Sequence, residues 1–354
     1  MKHLLYSTIM LLIFPIFVCE AATSKEVGSV KGVTKWHPGH YYLVPKKITK
    51  KPLLKIIKMV GRSNHWRGIQ RRYSWAELEP EKGIYDFSLI EEDLSALKVY
   101  DKHLVIQIQF KSFKKGDYFA PAYLDDKKYG PGTYEYGKGG TNIALWNNQV
   151  SGRLKELYKK LGEQFDADPH VEALVIPETA IGKVKVGRVR PDKVKFVKNL
   201  LSSTKTLKES FPSTNVIQYA NWPVFLLDDI EIAARKNRFG LGGPDTFPFW
   251  DALNNGLYRH YARLHGDVPL ATAVQWDNYT AKKAFGPYDP TSIRTIYDFA
   301  RETLKVNYMF WASRKKPDNY IGHVDRLLRE LSIRYGSSGG LDVKCPTMIA
   351  PCSK

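Results

Sequence analysis

Eight short, strand-like segments recur along this chain, and their spacing constrains its fold more than any other feature. They are rich in β-branched and aromatic residues, and amphipathic helical patterns separate them. The segments span residues 39–44, 67–75, 104–110, 173–176, 216–222, 239–245, 270–279 and 307–314. No glycine-rich phosphate loop follows any of them. Eight strands in alternation with helices therefore predict a single (β/α)8 TIM barrel, an α/β fold, rather than an open doubly wound sheet.

Between the second and third strands, a helix start has a specific signal. Ser88 and Glu91 have the spacing of a capping box, in which each side chain bonds to the backbone of the other. Ile90, Leu94 and Leu97 then fall on one helix face. This pattern predicts a helix that begins after Ser88 and packs against the barrel.

The longest stretch without a regular pattern is 111–145, where tyrosines are interspersed among glycines and lysines. A loop of this length inside a compact domain is usually functional. We expect it to shape a binding cleft.

Residues 1–21 have the layout of a secretory signal peptide. A short basic start precedes the apolar run Leu4–Val18, which is too short for a transmembrane helix, and small residues follow it. No later segment is apolar enough to span a bilayer. We therefore expect an exported protein, periplasmic or extracellular, whose barrel domain with a short C-terminal tail occupies residues 22–354.

Two cysteines remain after the signal peptide, Cys345 and Cys352, and both lie in the polar tail. In an oxidising compartment they would close a short loop and hold the C-terminus. The alternative is two free thiols. Export favours the disulfide.

The formal net charge is +18, from 54 Lys and Arg against 36 Asp and Glu. Such a surface attracts anionic partners. The basic residues are spread along the whole chain without an arginine-rich arm, so we do not expect nucleic acid as the partner. An acidic polysaccharide or an anionic cell surface fits better, although a general lysine bias would give the same charge. We expect a monomer.

The fourth predicted strand ends in a way that marks a candidate catalytic residue. Ala173–Ile176 is apolar, Pro177 cannot donate to a sheet ladder, and Glu178 follows at once. Glu178 therefore lies just past the carboxyl end of a buried strand, where α/β barrels carry their chemistry. A loop carboxylate paired with a lysine is the alternative.

The carboxyl ends of the other strands carry similar chemistry. Aromatic faces stack on sugar rings, amides and arginine bind sugar hydroxyls, and paired carboxylates support acid and base reactions. Asp245 and Asp277 are the further carboxylates, unless they only cap the segments that follow. The tryptophans alternatively pack in the core. The candidate substrate-binding residues are Arg72, Trp75, Gln109, Tyr219, Asn221, Trp222, Gln275, Trp276 and Trp311.

One segment resembles a known family. Residues 72–75, Arg-Tyr-Ser-Trp, are followed at 78–87 by Leu-Glu-Pro-Glu-Lys-Gly-Ile-Tyr-Asp-Phe. This pattern is similar to the segment after the second strand in the large retaining clan of TIM-barrel glycoside hydrolases that includes cellulases and β-galactosidases. The resemblance implies hydrolysis of the O-glycosidic bonds of a polysaccharide. It also implies that Glu178 is the general acid and base and that Trp311 stacks on a sugar.

The sequence departs from that clan at two positions. Pro177 precedes Glu178 where the clan has Asn, and Asp277 stands near the position of the nucleophilic Glu. Asp277, or failing that Asp245, would act as nucleophile or would activate a water. A carboxyl separation of about 5–5.5 Å implies retention, and roughly 6.5–9.5 Å implies inversion. The alternative is a non-catalytic sugar-binding barrel that lost its nucleophile.

Other chemistry has little support. His37 and His40 lie at the start of the first strand, which is the opposite end of the barrel, and no carboxylate or cysteine joins them in sequence. We therefore predict no metal and no cofactor. The nucleophile elbow of serine hydrolases is absent from the sequence.

Overall fold

Eight parallel strands pair in chain order and the eighth pairs with the first, so the sheet closes into a barrel. The computed structural model describes residues 32–136, 139–182, 184, 190–279, 292–313 and 319–353. The strands are β1 (Gly39–Leu43), β2 (Gly68–Ser74), β3 (His103–Gln109), β4 (Val171–Ile176), β5 (Asn215–Tyr219), β6 (Gly240–Gly243), β7 (Leu270–Val274) and β8 (Tyr308–Ala312). The closed barrel confirms the predicted TIM-barrel fold.

A helix follows each strand and packs on the outside of the barrel. The first five are α1 (Lys50–Gly61), α2 (Ser88–Lys98), α3 (Asn148–Phe165), α4 (Lys193–Ser210) and α5 (Leu227–Asn237). The segment α6 runs through Asp251–Leu253, Asn254–Tyr258 and Arg259–Leu264, α7 through Ser292–Asp298 and Phe299–Thr303, and α8 is Tyr320–Tyr335. Both α6 and α7 include a π-helical turn.

Side chains on each strand alternate between the barrel interior and the helices. On β8, Tyr308 and Phe310 belong to the interior cluster, whereas Met309 and Trp311 belong to the outer cluster between strands and helices. Small residues such as Ala273 lie beside large ones such as Phe310, so that side chains fill the narrow interior of the eight-stranded barrel. The apolar interior layer separates two ends of the barrel, and polar side chains collect at both.

The start of α2 differs from the prediction. Phe87 is the N-cap, without a side-chain cap, and the backbone N–H of Ser88 donates to Asp86 Oδ1 at 2.9 Å. The predicted Ser88–Glu91 capping box is therefore wrong. A capping box is present instead at Ser74, which pairs with Glu77 and starts the short helix Trp75–Leu78.

The stretch 111–145 is more regular than predicted. It contains the antiparallel strand pair Thr133–Tyr136 and Gly140–Ile143 and two short 3-10 turns. Tyr134 and Tyr136 are buried, and their rings pack against each other. The hydroxyl of Tyr134 also donates to the carbonyl of Ile181, in the loop after β4, at 2.9 Å, and this bond ties the segment to the barrel.

The C-terminal tail is fastened at the amino end of the barrel. A disulfide joins Cys345 and Cys352, as predicted. Cys352–Ser353 then pairs in parallel with Thr34–Lys35, which precedes β1. The tail thus packs on the end of the barrel opposite the carboxyl ends of the strands.

Two expectations concern the ends of the chain and its relation to membranes. The expected signal peptide, residues 1–21, lies outside the described residues. Within the described part of the chain, no helix is both long and apolar enough to cross a membrane. Gly32–Lys354 forms a single compact unit.

Candidate active site

A cavity of about 320 Å³ opens at the carboxyl ends of the strands, which is the face where TIM barrels carry their active sites. Eight of the sequence-predicted site residues meet there: Arg72, Gln109, Glu178, Tyr219, Asp245, Gln275, Trp276 and Asp277. Residues that were not predicted also line it, among them Lys46, Gln107, Lys111 and Phe113. The cavity therefore combines carboxylates, amides, cations and aromatic rings.

Glu178 follows β4 directly after Pro177, and its side chain is 14% exposed. Asn221, just after β5, donates from Nδ2 to Glu178 Oε2 at 2.9 Å. Lys111, just after β3, places its Nζ 3.7 Å from Glu178 Oε1. The two strands that flank β4 thus each supply one polar neighbour, and together these fix the carboxylate.

Lys111 is buried, which is unusual for a lysine. Its Nζ donates to the backbone carbonyls of Glu178 at 2.5 Å and Ala180 at 3.0 Å. Burial lowers the pKa of Lys111 to about 8, against the opposing effect of Glu178. Lys111 therefore ties the loop after β4 to the end of β3 and places a cation beside Glu178.

Asp245 follows β6, and its carboxyl group is buried in the cavity. Its Oδ1 accepts hydrogen bonds from Asn278 Nδ2 at 3.0 Å and from Gln275 Nε2 at 3.4 Å. Burial raises the pKa of Asp245 to about 7, and the charges of Asp277 and Glu178 add to the rise. A carboxyl group that exchanges its proton near neutral pH in a cleft is a candidate acid or base.

Asp277 is brought to Asp245 by a shared neighbour. Asn278 donates from Nδ2 to Asp277 Oδ1 at 3.3 Å as well as to Asp245. Its Oδ1 accepts from the backbone N–H groups of Thr246 and Gln275, both at 2.9 Å. This buried amide therefore ties the loops after β6 and β7 together and holds the two carboxyl groups close.

Arg72 is held by amides inside the barrel. Gln107 Oε1 accepts from Arg72 Nε and from Gln70 Nε2, each at 3.2 Å. Gln70 Nε2 also donates to the hydroxyl of Tyr219 at 3.3 Å. The Nη groups of Arg72 make no hydrogen bond within the described part of the chain, so they are available to a ligand in the cavity.

Two predicted sugar contacts are wrong. Trp75 is fully buried, and its Nε1 donates to Glu79 Oε2 at 2.8 Å. Trp311 is also fully buried on the outward face of β8, where its Nε1 donates to His40 Nδ1 at 3.1 Å. Neither ring lines the cavity, because Trp75 belongs to the packing behind β2 and strand alternation turns Trp311 toward the helices.

The remaining predicted residues reach the site in different ways. Asn221 contacts Glu178 rather than open space in the cavity. Trp222 is half-buried, its carbonyl accepts from Thr179 Oγ1 at 2.8 Å, and its ring centre lies 6.5 Å from that of Trp250. Trp276 is 60% exposed and lies at the cavity rim.

The raised pKa of Asp245 predicts a pH-dependent stability. The carboxyl binds a proton below pH 7 in the folded chain but only below its ordinary value of 3.8 when unfolded, so stability falls as pH rises between these values. Asp245→Asn removes the charge, and we expect it to stabilise the fold by roughly 2 kcal/mol at pH 8 with no gain at pH 4. Urea unfolding at both pH values measures the difference.

The exposed Asp229→Asn on α5 is the matched control and should change little at either pH. A variant at position 245 that is destabilised equally at pH 4 and pH 8 would contradict the assignment.

No protein-family model and no curated protein matches the sequence. Solved structures do match it. A β-galactosidase from the psychrophilic Marinomonas ef1 gives a TM-score of 0.58 at 11% identity, over 88% of this chain and 62% of that chain. An exo-β-1,4-mannosidase from an Opitutaceae bacterium gives 0.53 at 10% identity, over 90% and 60%. This chain thus spans less than two thirds of the length of either protein.

An endo-glycoceramidase II from a Rhodococcus species, solved as a lactosyl-enzyme intermediate, gives a TM-score of 0.50 at 13% identity, over 80% of this chain and 76% of that chain. At such low identities the similarity shows the fold. The fold and the site together define a TIM-barrel protein with a carboxylate-lined cavity at the carboxyl face. The similar structures are TIM-barrel glycosidases, in agreement with the resemblance of residues 72–87.

Proposed function

We propose that the protein is a glycoside hydrolase that cleaves the O-glycosidic bonds of a polysaccharide or oligosaccharide. The observation that carries this proposal is that Glu178, Asp245 and Asp277 line one cavity at the carboxyl face of the barrel. Glycoside hydrolysis needs two carboxyl groups, one protonated and one ionised. The glycosidase activity of proteins with the same fold supports this class, as an analogy of fold.

We assign the proton at neutral pH to Asp245. Its raised pKa suits a general acid, which must hold a proton until the leaving group needs it. Glu178, fixed by Asn221 and Lys111, is then the carboxylate that attacks the sugar or activates a water. In this assignment Glu178 is the nucleophile or the water-activating base, whereas the clan resemblance implies that it is the general acid and base. Burial keeps the pKa of Asp245 raised, and the charge of Asp277 adds to the rise.

A second candidate function is a sugar-binding barrel without catalysis. Pro177 favours it, because it precedes Glu178 where the clan has Asn. The shorter Asp277 near the position of the clan's nucleophilic Glu points the same way. The hydrolase and the sugar-binding protein would use the same cavity, and only the hydrolase would cleave the bound sugar.

The cations of the cavity favour an anionic sugar. Arg72 offers a fork of donors that matches a carboxylate or sulfate group. Lys46 also lines the cavity, and no carboxylate of the described chain lies within ion-pair distance of its Nζ. The net charge of +18 would add long-range attraction for an acidic polymer.

Arg72→Gln tests the anionic substrate. We expect KM to rise by about tenfold for a uronate-containing polymer, because a charge-assisted hydrogen bond is lost, and to change much less for a neutral polymer. Steady-state kinetics on both polymers gives the comparison. Arg334→Gln, at the end of α8, is the charge-matched control. An equal change on the two polymers would argue against an anionic subsite at Arg72.

The protein is further proposed to be an exported monomer. The apolar run before residue 21 supports a cleaved signal, and the disulfide between Cys345 and Cys352 supports an oxidising compartment. Sequencing the N-terminus of the secreted chain and sizing it in solution test both statements.

A glycan panel tests the proposed activity. The purified chain is incubated with neutral and uronate-containing polysaccharides, and new reducing ends and bound polymer are both measured. We expect product from at least one polymer, with hydrolysis of an acidic polymer reduced by added salt. Binding without product, at high protein concentration and long incubation, would favour the non-catalytic candidate. Neither binding nor product on any polymer would reject both.

A further inference from the structure

The amino end of the barrel contains a second polar cluster, on the side of the apolar interior layer away from the carboxylate cavity. His37 precedes β1, His103 begins β3, and Glu172 is the second residue of β4. Nitrogen and oxygen atoms suitable for metal binding, one from each residue, lie within 4.8 Å of one another. The two histidines and one carboxylate come from distant parts of the sequence.

A β-bulge directs Glu172 into this cluster. Leu104 pairs with Val171 and Val105 pairs with Ala173, so Glu172 is an extra residue on β4. Ala173 faces the barrel interior. If side chains alternated regularly along β4, the neighbouring Glu172 would therefore point toward the helices outside the barrel. The bulge re-aims its side chain into the barrel, which is a common use of bulges at barrel rims.

Glu172 is fully buried and well satisfied. Its Oε1 accepts from the backbone N–H of His37 at 2.8 Å and from the hydroxyl of Tyr308 at 2.6 Å. Its Oε2 lies 2.7 Å from His37 Nδ1. This contact places a carboxylate oxygen beside a ring nitrogen of His37, so one ion can be bound by both groups.

The position of His103 is not explained by packing alone, because packing of the described residues gives no partner to one of its buried ring nitrogens. It is 9% exposed, and its buried Nδ1 has no hydrogen-bond partner among the residues that the structure describes. Its ring stacks on His37 with centres 3.8 Å apart and lies 5.8 Å from the ring of His170. Burial removes such a ring nitrogen from water without a replacement partner, so the position is unfavourable unless a ligand uses it.

We propose that His37, His103 and Glu172 bind a divalent transition-metal ion of the zinc type. Two imidazoles and one carboxylate form a ligand set that zinc favours. With bonds of about 2.0–2.2 Å, two ligand atoms of a tetrahedral ion lie roughly 3.4 Å apart. His37 and Glu172, already in contact, therefore need only a small adjustment, whereas His103 has to turn away from its stack on His37. The ion would join the amino ends of β1, β3 and β4.

A cavity of about 950 Å³ at this end of the barrel provides access. His37 and His103 line it, so a water molecule can occupy the fourth position. Lys35 and Arg67 also line the cavity and oppose a cation. Their charges face backbone oxygens, since Lys35 Nζ donates to the carbonyls of Asp166 and Asp168, and Arg67 Nε donates to that of Pro38.

The site is tested with the full mature chain after chelator treatment and dialysis. Calorimetric titration with Zn²⁺ at pH 7.5 should show one ion per chain, and Co²⁺ should give the visible absorption of a low-coordinate site. We expect His103→Gln and Glu172→Gln each to weaken Zn²⁺ binding by at least tenfold. Neither readout depends on the proposed glycosidase activity.

His170→Gln is the matched control, because His170 adjoins the stack but is not a proposed ligand. It should bind Zn²⁺ within threefold of the native chain. Absence of binding by the native chain, or equal binding by the His103→Gln variant, would overturn the proposal. If the Glu172 variant fails to fold by circular dichroism, the His103 variant decides, since the Nδ1 of His103 makes no hydrogen bond within the described part of the chain that the substitution would remove.

Discussion

Replacement of Glu178 by Gln is expected to lower kcat by about 10²–10⁴-fold on the glycan that the panel identifies, without loss of the fold. The substitution keeps the side-chain length and an oxygen that can accept from Asn221 Nδ2. It removes the charge that the attacking or water-activating group needs. Rates of reducing-end release, with folding verified by circular dichroism, measure the effect.

Glu209→Gln is the matched control, because Glu209 is exposed on α4 and pairs only with Lys205 within the described chain. It should leave kcat unchanged. Undiminished hydrolysis by the Glu178→Gln variant would remove Glu178 from the mechanism, even if the glycan panel had established the activity itself.

Asp245→Asn should have the second large effect, a loss of about 10²–10⁴-fold in kcat together with a changed pH profile. In the native chain, the protonated fraction of a group with a pKa of about 7 declines above neutral pH, so kcat should decline there too. The amide variant has no such proton to lose. Its residual activity should therefore lack the decline above pH 7.

The leaving group separates the two roles. An aryl glycoside with an acidic phenol needs little protonation, so the Asp245→Asn variant should retain much of its activity on it, whereas the Glu178→Gln variant should not. The opposite pattern would restore the acid role to Glu178. If kcat of the Asp245→Asn variant still declined above pH 7, a group other than Asp245 would control that part of the pH profile.

The order of elements could be predicted from the sequence because each strand has a local signature. The apolar run Ala173–Ile176 ends at Pro177, and the corresponding strand β4 ends at Ile176. Local signals gave a wrong prediction where the sequence was compatible with two different helix starts. Ser88 has the correct spacing for a capping box, yet Asp86 satisfies its backbone N–H.

The sequence predicts those residues of the candidate site that lie at the carboxyl ends of the strands. Gln107 and Lys46 could also have been predicted from their positions near strand ends. Gln107 lies on the same face of β3 as Gln109, and Lys46 follows β1. What the sequence cannot provide is the direction of a side chain or its distant partners. Trp311 follows Phe310, and only the register decides which of the two faces the interior.

Long-range contacts were equally inaccessible. The link between Asp245 and Asp277 depends on Asn278, whose amide is placed by the loops after two different strands. Glu172 reaches His37 across a sequence separation of 135 residues, and only a bulge brings it there. No short motif records such a contact.

The amides around Arg72 have a consequence for how the cavity would recognise a ligand. Because Gln107 holds Arg72 Nε, the guanidinium is oriented before any ligand arrives. Ordering an arginine side chain costs up to about 2 kcal/mol of conformational entropy. Here that ordering happens when the barrel folds, so it does not weaken binding. Recognition is thus preorganised, and conditions that loosen the barrel interior should reduce ligand affinity before they unfold the chain.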